Sequence, residues 1–191
     1  QQNERTLKDA RAWARSHRED RFVVHLLHCP DLLPWHAGVG LARKLAMDEA
    51  AHRFDLLDKS GVIAGFDADC RCAPDYLVSL EQQFRDNPKC PGVSVYFEHP
   101  LSGPLAPAIY ETIAAYELHL RYYVQALRYA GYAYAHHAIG SCMAVRAGVY
   151  KEQGGMNRRQ AGEDFYFLHK VIPLGGFSDL TNTAVYPSPR A

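Results

Sequence analysis

The chain has 191 residues, 48% of them hydrophobic and 22% charged, which excludes a disordered segment, a collagen repeat and a coiled coil. Its 21 basic side chains balance 21 acidic ones, and neither sign gathers into a block. The basic surplus of a general nucleic-acid binder is therefore missing, as is the basic face that seeks an anionic membrane. No apolar run approaches the roughly 20 residues of a membrane-spanning helix, and no signal-peptide pattern opens the chain.

Leu7, Ala10 and Ala14 recur at helical spacing and predict a helix from Glu4 to Arg18. Phe22 to His28 is rich in β-branched and large apolar residues, so it predicts a buried strand, followed by a loop containing Pro30 and Pro34. A second helix is expected from Gly38 to Phe54, then a short strand from Val62 to Phe66 that ends in Asp67-Ala68-Asp69. Pro74 suits the first turn of a helix running to Arg85, stopped by Asn87-Pro88. Val93 to Phe97 predicts a strand, and Leu105 to Tyr129 the longest helix, with Ile109, Ile113, Tyr116, Leu120 and Leu127 on one side. A strand from Ala138 to Val145 across Gly140, a loop at Gly154-Gly155, a helix from Glu163 to Leu174 and a strand from Thr183 to Tyr186 complete the reading. Alternating helices and strands give an α/β class with a mostly parallel sheet, one domain over residues 1–191, and active loops at strand C-terminal ends.

The chain opens without Met at Gln1 and stops in Pro187-Ser188-Pro189-Arg190, so it reads as a piece of a longer polypeptide cut at both ends. Five cysteines are scattered at 29, 70, 72, 90 and 142, and only Cys70 and Cys72 are close. That pattern fits free thiols in a reducing cytoplasm better than a disulfide framework or a zinc site.

Four features carry chemistry. Gly38-Val39-Gly40 imitates a dinucleotide fingerprint, but Pro34-Trp35-His36-Ala37 replaces the strand that fingerprint needs. The helix start remains an anion site in principle, with Arg43 one turn inside it. Asp67 and Asp69 alternate along an extended segment and would project together; two carboxylates there suit Mg²⁺ or Mn²⁺ completed by water and phosphate oxygens. The same strand-then-DxD pattern begins phosphatases of the haloacid dehalogenase type, but its position here and the following Cys70-Arg71-Cys72 do not fit them. Asp75 reads as a helix-start acid. Glu163 and Asp164 open a helix, where an acid either complements the dipole or serves as a general base. His99 follows a strand end and could face such a site; His136 and His137 read as satisfied polar residues near a surface. Tyr116, Tyr122, Tyr123, Tyr129, Tyr132 and Tyr134 read mostly as core and helix face.

In order and spacing, Ala42-Arg43-Lys44, the strand into Asp67-Ala68-Asp69, Gly140 to Arg146, Gly154-Gly155-Met156 and Glu163-Asp164 resemble bacterial family 2 glycosyltransferases of the GT-A fold. The resemblance covers Asn3 to Arg190. It implies an inverting, cytoplasmic or inner-membrane-peripheral transferase that moves a sugar from a nucleotide-diphosphate donor to a hydroxyl of a glycan, lipid-linked or polysaccharide acceptor. It implies Asp69 and Asp67 as ligands of a divalent cation, Mn²⁺ or Mg²⁺. Arg43, Asp67, Gly140 and Ser141 would border the donor, and Asp164 would be the base with Glu163 beside it. Lys44 stands where the family usually has Asn, and the family's first strand, expected before Asn3, is missing, leaving a sheet edge through which the chain could self-associate. The rival from another class is a non-catalytic sugar-nucleotide sensor or scaffold.

Overall fold

Residues 2–17, 22–32 and 37–190 are described by the computed structural model of the chain. Arg18, Pro34, Trp35 and His36, which entered the reading above, lie outside them. The chain divides into two compact units, 1–37 and 38–191.

In the first unit, helix α1 spans Gln2–Ser16 and half-buries Leu7, Ala10 and Ala14, the expected stripe. Trp13 remains half exposed and stacks on His17 with ring centroids 4.3 Å apart. The strand expected over Phe22–His28 is not formed; the segment is irregular, and Val23 is 75% exposed. A β-branched run becomes a strand only with a ladder partner, and all five strands of the sheet come from residues 62–186.

The second unit follows the expected order closely. Helix α2 (Val39–Leu56) leads to strand β1 (Val62–Ala64), the short β2 (Arg71–Cys72), helix α3 (Tyr76–Asp86) and β3 (Gly92–Phe97). Then come α4 (Pro107–Tyr129), β4 (Met143–Arg146), α5 (Ala147–Glu152), α6 (Glu163–Val171) and β5 (Ser178–Tyr186). The shortest strand, β2, and the shortest α-helix, α5, are absent from the expected order. No helix among the described residues is long and apolar enough to cross a membrane.

The sheet order is β1-β4-β3-β5-β2. Only β3 and β5 run parallel, while β1–β4, β3–β4 and β2–β5 are antiparallel, so the expected mostly parallel sheet is instead mixed. Helix–strand alternation does not dictate strand direction: β4 enters from a tight turn rather than a crossover helix and runs back between β1 and β3. That turn, the 3₁₀ segment Gly140–Cys142, also delays β4 beyond its predicted start.

β4 feeds both sides of the sheet because its side chains alternate. Met143 and Val145 join Met47, Ile63, Tyr150, Phe167 and Leu168 in one core cluster. Ala144 joins Leu80, Phe84, Val93, Val95 and Leu180 in the other. Arg146 then ties β4 to the end of α3, donating to the carbonyls of Phe84, Asn87 and Cys90. The inward side of α4 carries Tyr110, Ile113, Leu120, Val124 and Leu127. Tyr116 is turned out, and the six tyrosines read as core and helix face are all exposed, Tyr129 at 97%. Their hydroxyls favour water, and the smaller Val124 takes the buried position.

Candidate functional site

Three stretches far apart in sequence meet where α2, the end of β1 and the start of α6 converge. Arg43, one turn into α2, has a side chain only 8% exposed. One arm of its guanidinium donates to Asp67 Oδ1 at 2.5 Å, and the other to Glu163 Oε1 in a very close contact. A planar guanidinium presents two parallel donor edges, so a single Arg can hold two carboxylates where Lys could not.

Asp67 sits just past β1. The backbone there does not continue as the expected extended strand: Cys70 N–H donates to Asp67 C=O at 3.0 Å, closing a turn. The alternation argument for Asp67 and Asp69 therefore fails, and turn geometry sets their directions instead. Asp69 is exposed and, among the described residues, makes no hydrogen bond or ion pair. No group of three or more His, Cys, Asp or Glu side chains among those residues is arranged to hold a metal ion.

Glu163 and Asp164 open α6 behind Gly162, whose φ of 68° is the left-handed conformation that glycine adopts freely. The two acids diverge, as neighbours in a helix must. Glu163 turns inward and is 3% exposed. Burial lifts its carboxyl above the ordinary value, the adjacent Asp164 adds to this, and Arg43 opposes it. Asp164 is half-buried and accepts from Gly140 N–H and Phe165 N–H, both at 2.7 Å.

Gly140 is required by space. A Cβ there would lie 1.7 Å from Arg43 Nη1, closer than any side chain tolerates. Its neighbour Ser141 is buried, with Oγ 3.6 Å from Cys142 Sγ. Ser141 also hydrogen-bonds Cys70, whose thiol burial nonetheless holds above its ordinary value. Burial pushes the Cys142 thiol up to about 12. All five cysteines are free, as expected. Beside the cluster, a cavity of about 260 Å³ opens between α2 and the end of β1, with Arg43, Phe66 and Asp67 in its wall.

The structure thus brings together Arg43, Asp67, Gly140, Glu163 and Asp164. It leaves three other candidates elsewhere: Lys44 pairs with Asp48 at 2.9 Å, His99 with Glu117 at 2.8 Å, and Asp75 accepts from Thr183. Sequence reasoning missed Asn157, which braces the start of α6 by donating to Glu163 C=O at 2.8 Å while accepting from Arg159 N–H. An Asn in a polar loop just before a helix is the signal that could have found it.

No family model, curated protein or solved structure matches this chain.

Proposed function

We propose that this chain is the catalytic part of a metal-dependent, inverting glycosyltransferase of the GT-A type, as its ordered motifs imply. The observation that supports the reading is the meeting of the Asp67 turn, Gly140 and the Glu163-Asp164 helix start around one buried arginine, across 120 residues of sequence. Scattered acids with only local roles would have no reason to share a guanidinium.

In this reading the nucleotide-diphosphate donor lies against the Asp67 turn and Gly140-Ser141. The donor set there is chemically suited to Mg²⁺ or Mn²⁺: Asp69 has no partner among the described residues, Asp67 has one oxygen beyond its bond to Arg43, and such ions keep water and phosphate oxygens in their remaining positions. When bound, the cation would neutralise charge on the leaving diphosphate. Arg43 fixes Asp67 and offsets the charge of Glu163. Asp164, aimed by the N–H groups of Gly140 and Phe165, takes the proton from the acceptor hydroxyl as it attacks the anomeric carbon. The acceptor is a glycan, lipid-linked sugar or polysaccharide, met in the cytoplasm or at the inner membrane face.

The test is transfer from a panel of nucleotide sugars with and without Mn²⁺. Asp164→Asn keeps the shape and removes the proton acceptor, so the rate should fall ~10²–10⁴-fold while donor affinity stays within a few-fold. Near-parental turnover by that variant would move the base to Glu163. Nucleotide binding without turnover by the parent protein would favour a sensor or scaffold.

A further inference from the structure

A second cavity, open to solvent and lined by both polar and apolar groups, lies under α4, where a helix packed on a sheet ordinarily places apolar side chains. Arg121, Gln125 and Arg128 stand at helical spacing along one side of α4 and line a cavity of about 210 Å³. Ser94, Tyr96 and Phe97 of β3, His137, and Asp179 and Thr181 of β5 complete the polar and aromatic wall. The sheet is irregular at this place. Val95 pairs with Leu180 but Phe97 with Val185, so β5 bulges opposite Tyr96 and carries Thr181 out of the ladder. Bulges of this kind re-aim side chains and recur beside binding sites.

Both arginines are already matched. Arg121 donates to Glu117 at 2.7 Å and to Phe97 C=O at 2.5 Å, and lies 4.9 Å from the Tyr96 ring centre. Arg128 donates to Ala135 C=O at 3.0 Å and pairs closely with Asp179, which also meets His136 Nδ1 at 2.8 Å. Each guanidinium therefore has its own carboxylate, and burial together with the two arginines holds the His137 imidazole below its ordinary value, which favours its uncharged form. An incoming anion would compete with Glu117 and Asp179 for cations already paired. What remains open is uncharged: Gln125 and Thr181, both exposed, and the half-buried His137 line the cavity, and their side chains have no hydrogen-bond partner among the described residues. Together they supply donors and acceptors in comparable number.

We propose that this cavity binds a small, uncharged, polyhydroxylated molecule of about the size of one sugar ring. Hydroxyl groups both donate and accept, which matches the spare groups, and the cavity of about 210 Å³ leaves room for a single ring. The proposal does not rest on the transferase reading, because the cavity shares no residue with the Arg43 cluster.

Titration calorimetry with glucose, N-acetylglucosamine and myo-inositol, and with inorganic phosphate and citrate, tests it. At least one neutral probe should bind saturably. Gln125→Ala and Thr181→Val should each weaken that binding more than ~10-fold without changing the melting temperature, since neither side chain holds a bond within the fold. Tighter binding of phosphate or citrate, neutral binding indifferent to both variants, or no saturable binding of any probe would overturn it.

Discussion

Two of the molecule's arginine–carboxylate systems, those of Arg43 and Arg121, are built on different principles. Arg43 is almost wholly enclosed, and its partners come from two other elements, 24 and 120 residues away. Arg121 is about a third exposed and takes its carboxylate from its own helix, four residues earlier. Glu163, with a side chain 4% exposed, has no water to take the place of Arg43, whereas the Arg121 guanidinium reaches solvent. Burial, more than the presence of an ion pair, decides what the fold depends on.

The largest expected effect follows directly. Arg43→Gln leaves Glu163 buried without its cation, and unfolding by denaturant should show a loss of ~3–5 kcal/mol. A loss below about 1 kcal/mol would erase the distinction between the two systems. Gly140→Ala pushes a methyl group into the Arg43 guanidinium and should cost ~1–3 kcal/mol, as overpacking does. An unchanged melting curve for this variant would mean the close approach is not maintained in solution.

The Arg43 cluster and the Arg128–Asp179 pair, which shares the α4 cavity with Arg121, should also respond to pH with opposite sign. Glu163 binds its proton more tightly folded than unfolded, because burial outweighs Arg43. Its contribution is therefore greatest below the ordinary value of 4.5 and declines as pH rises through the lifted folded value. Asp179 behaves the other way. Burial alone would raise it, but His136 and Arg128 outweigh that and hold it below its ordinary 3.8. Its contribution is present above that value and is lost as pH falls through the lower folded one. Relative to the parent protein, Glu163→Gln should gain stability with rising pH and Asp179→Asn should lose it, neither faster than ~1.4 kcal/mol per pH unit. Slopes of the same sign would break the comparison. The smallest effect is reserved for Arg85, which pairs with Glu81 on the outside of α3 with both side chains more than 60% exposed. Arg85→Ala should change stability by about 0.5 kcal/mol or less, read from the same denaturant curves.

Much of this organisation was legible in the sequence because it is local. The α1 and α4 helices announced themselves by periodicity, and Asn87-Pro88 marked the end of α3. Asp67, Gly140, Glu163 and Asp164 stood out because they sit at element boundaries, where chain direction changes and side chains become available. The role of Arg43 as a bridge was not legible, since it depends on which distant acids tertiary packing delivers. Strand direction was hidden for the same reason, and so was the fate of Phe22–His28: composition favours a strand but cannot provide its neighbour. The tyrosines of α4 misled because an aromatic ring counts as apolar in a pattern while its hydroxyl is at home in water.

The contact between Gly140 and Arg43 also constrains how this sequence can drift over generations. Any side chain at position 140 is shut out while the full guanidinium occupies the space beside it. Shortening residue 43 first would make room, but it strands the acid at 163 before any benefit arrives. Each single step is therefore disfavoured, and the two positions can change together only through an intermediate worse than either end. Such pairs behave as one inherited character, and positions 43 and 140 should vary in concert or not at all among descendants of this chain.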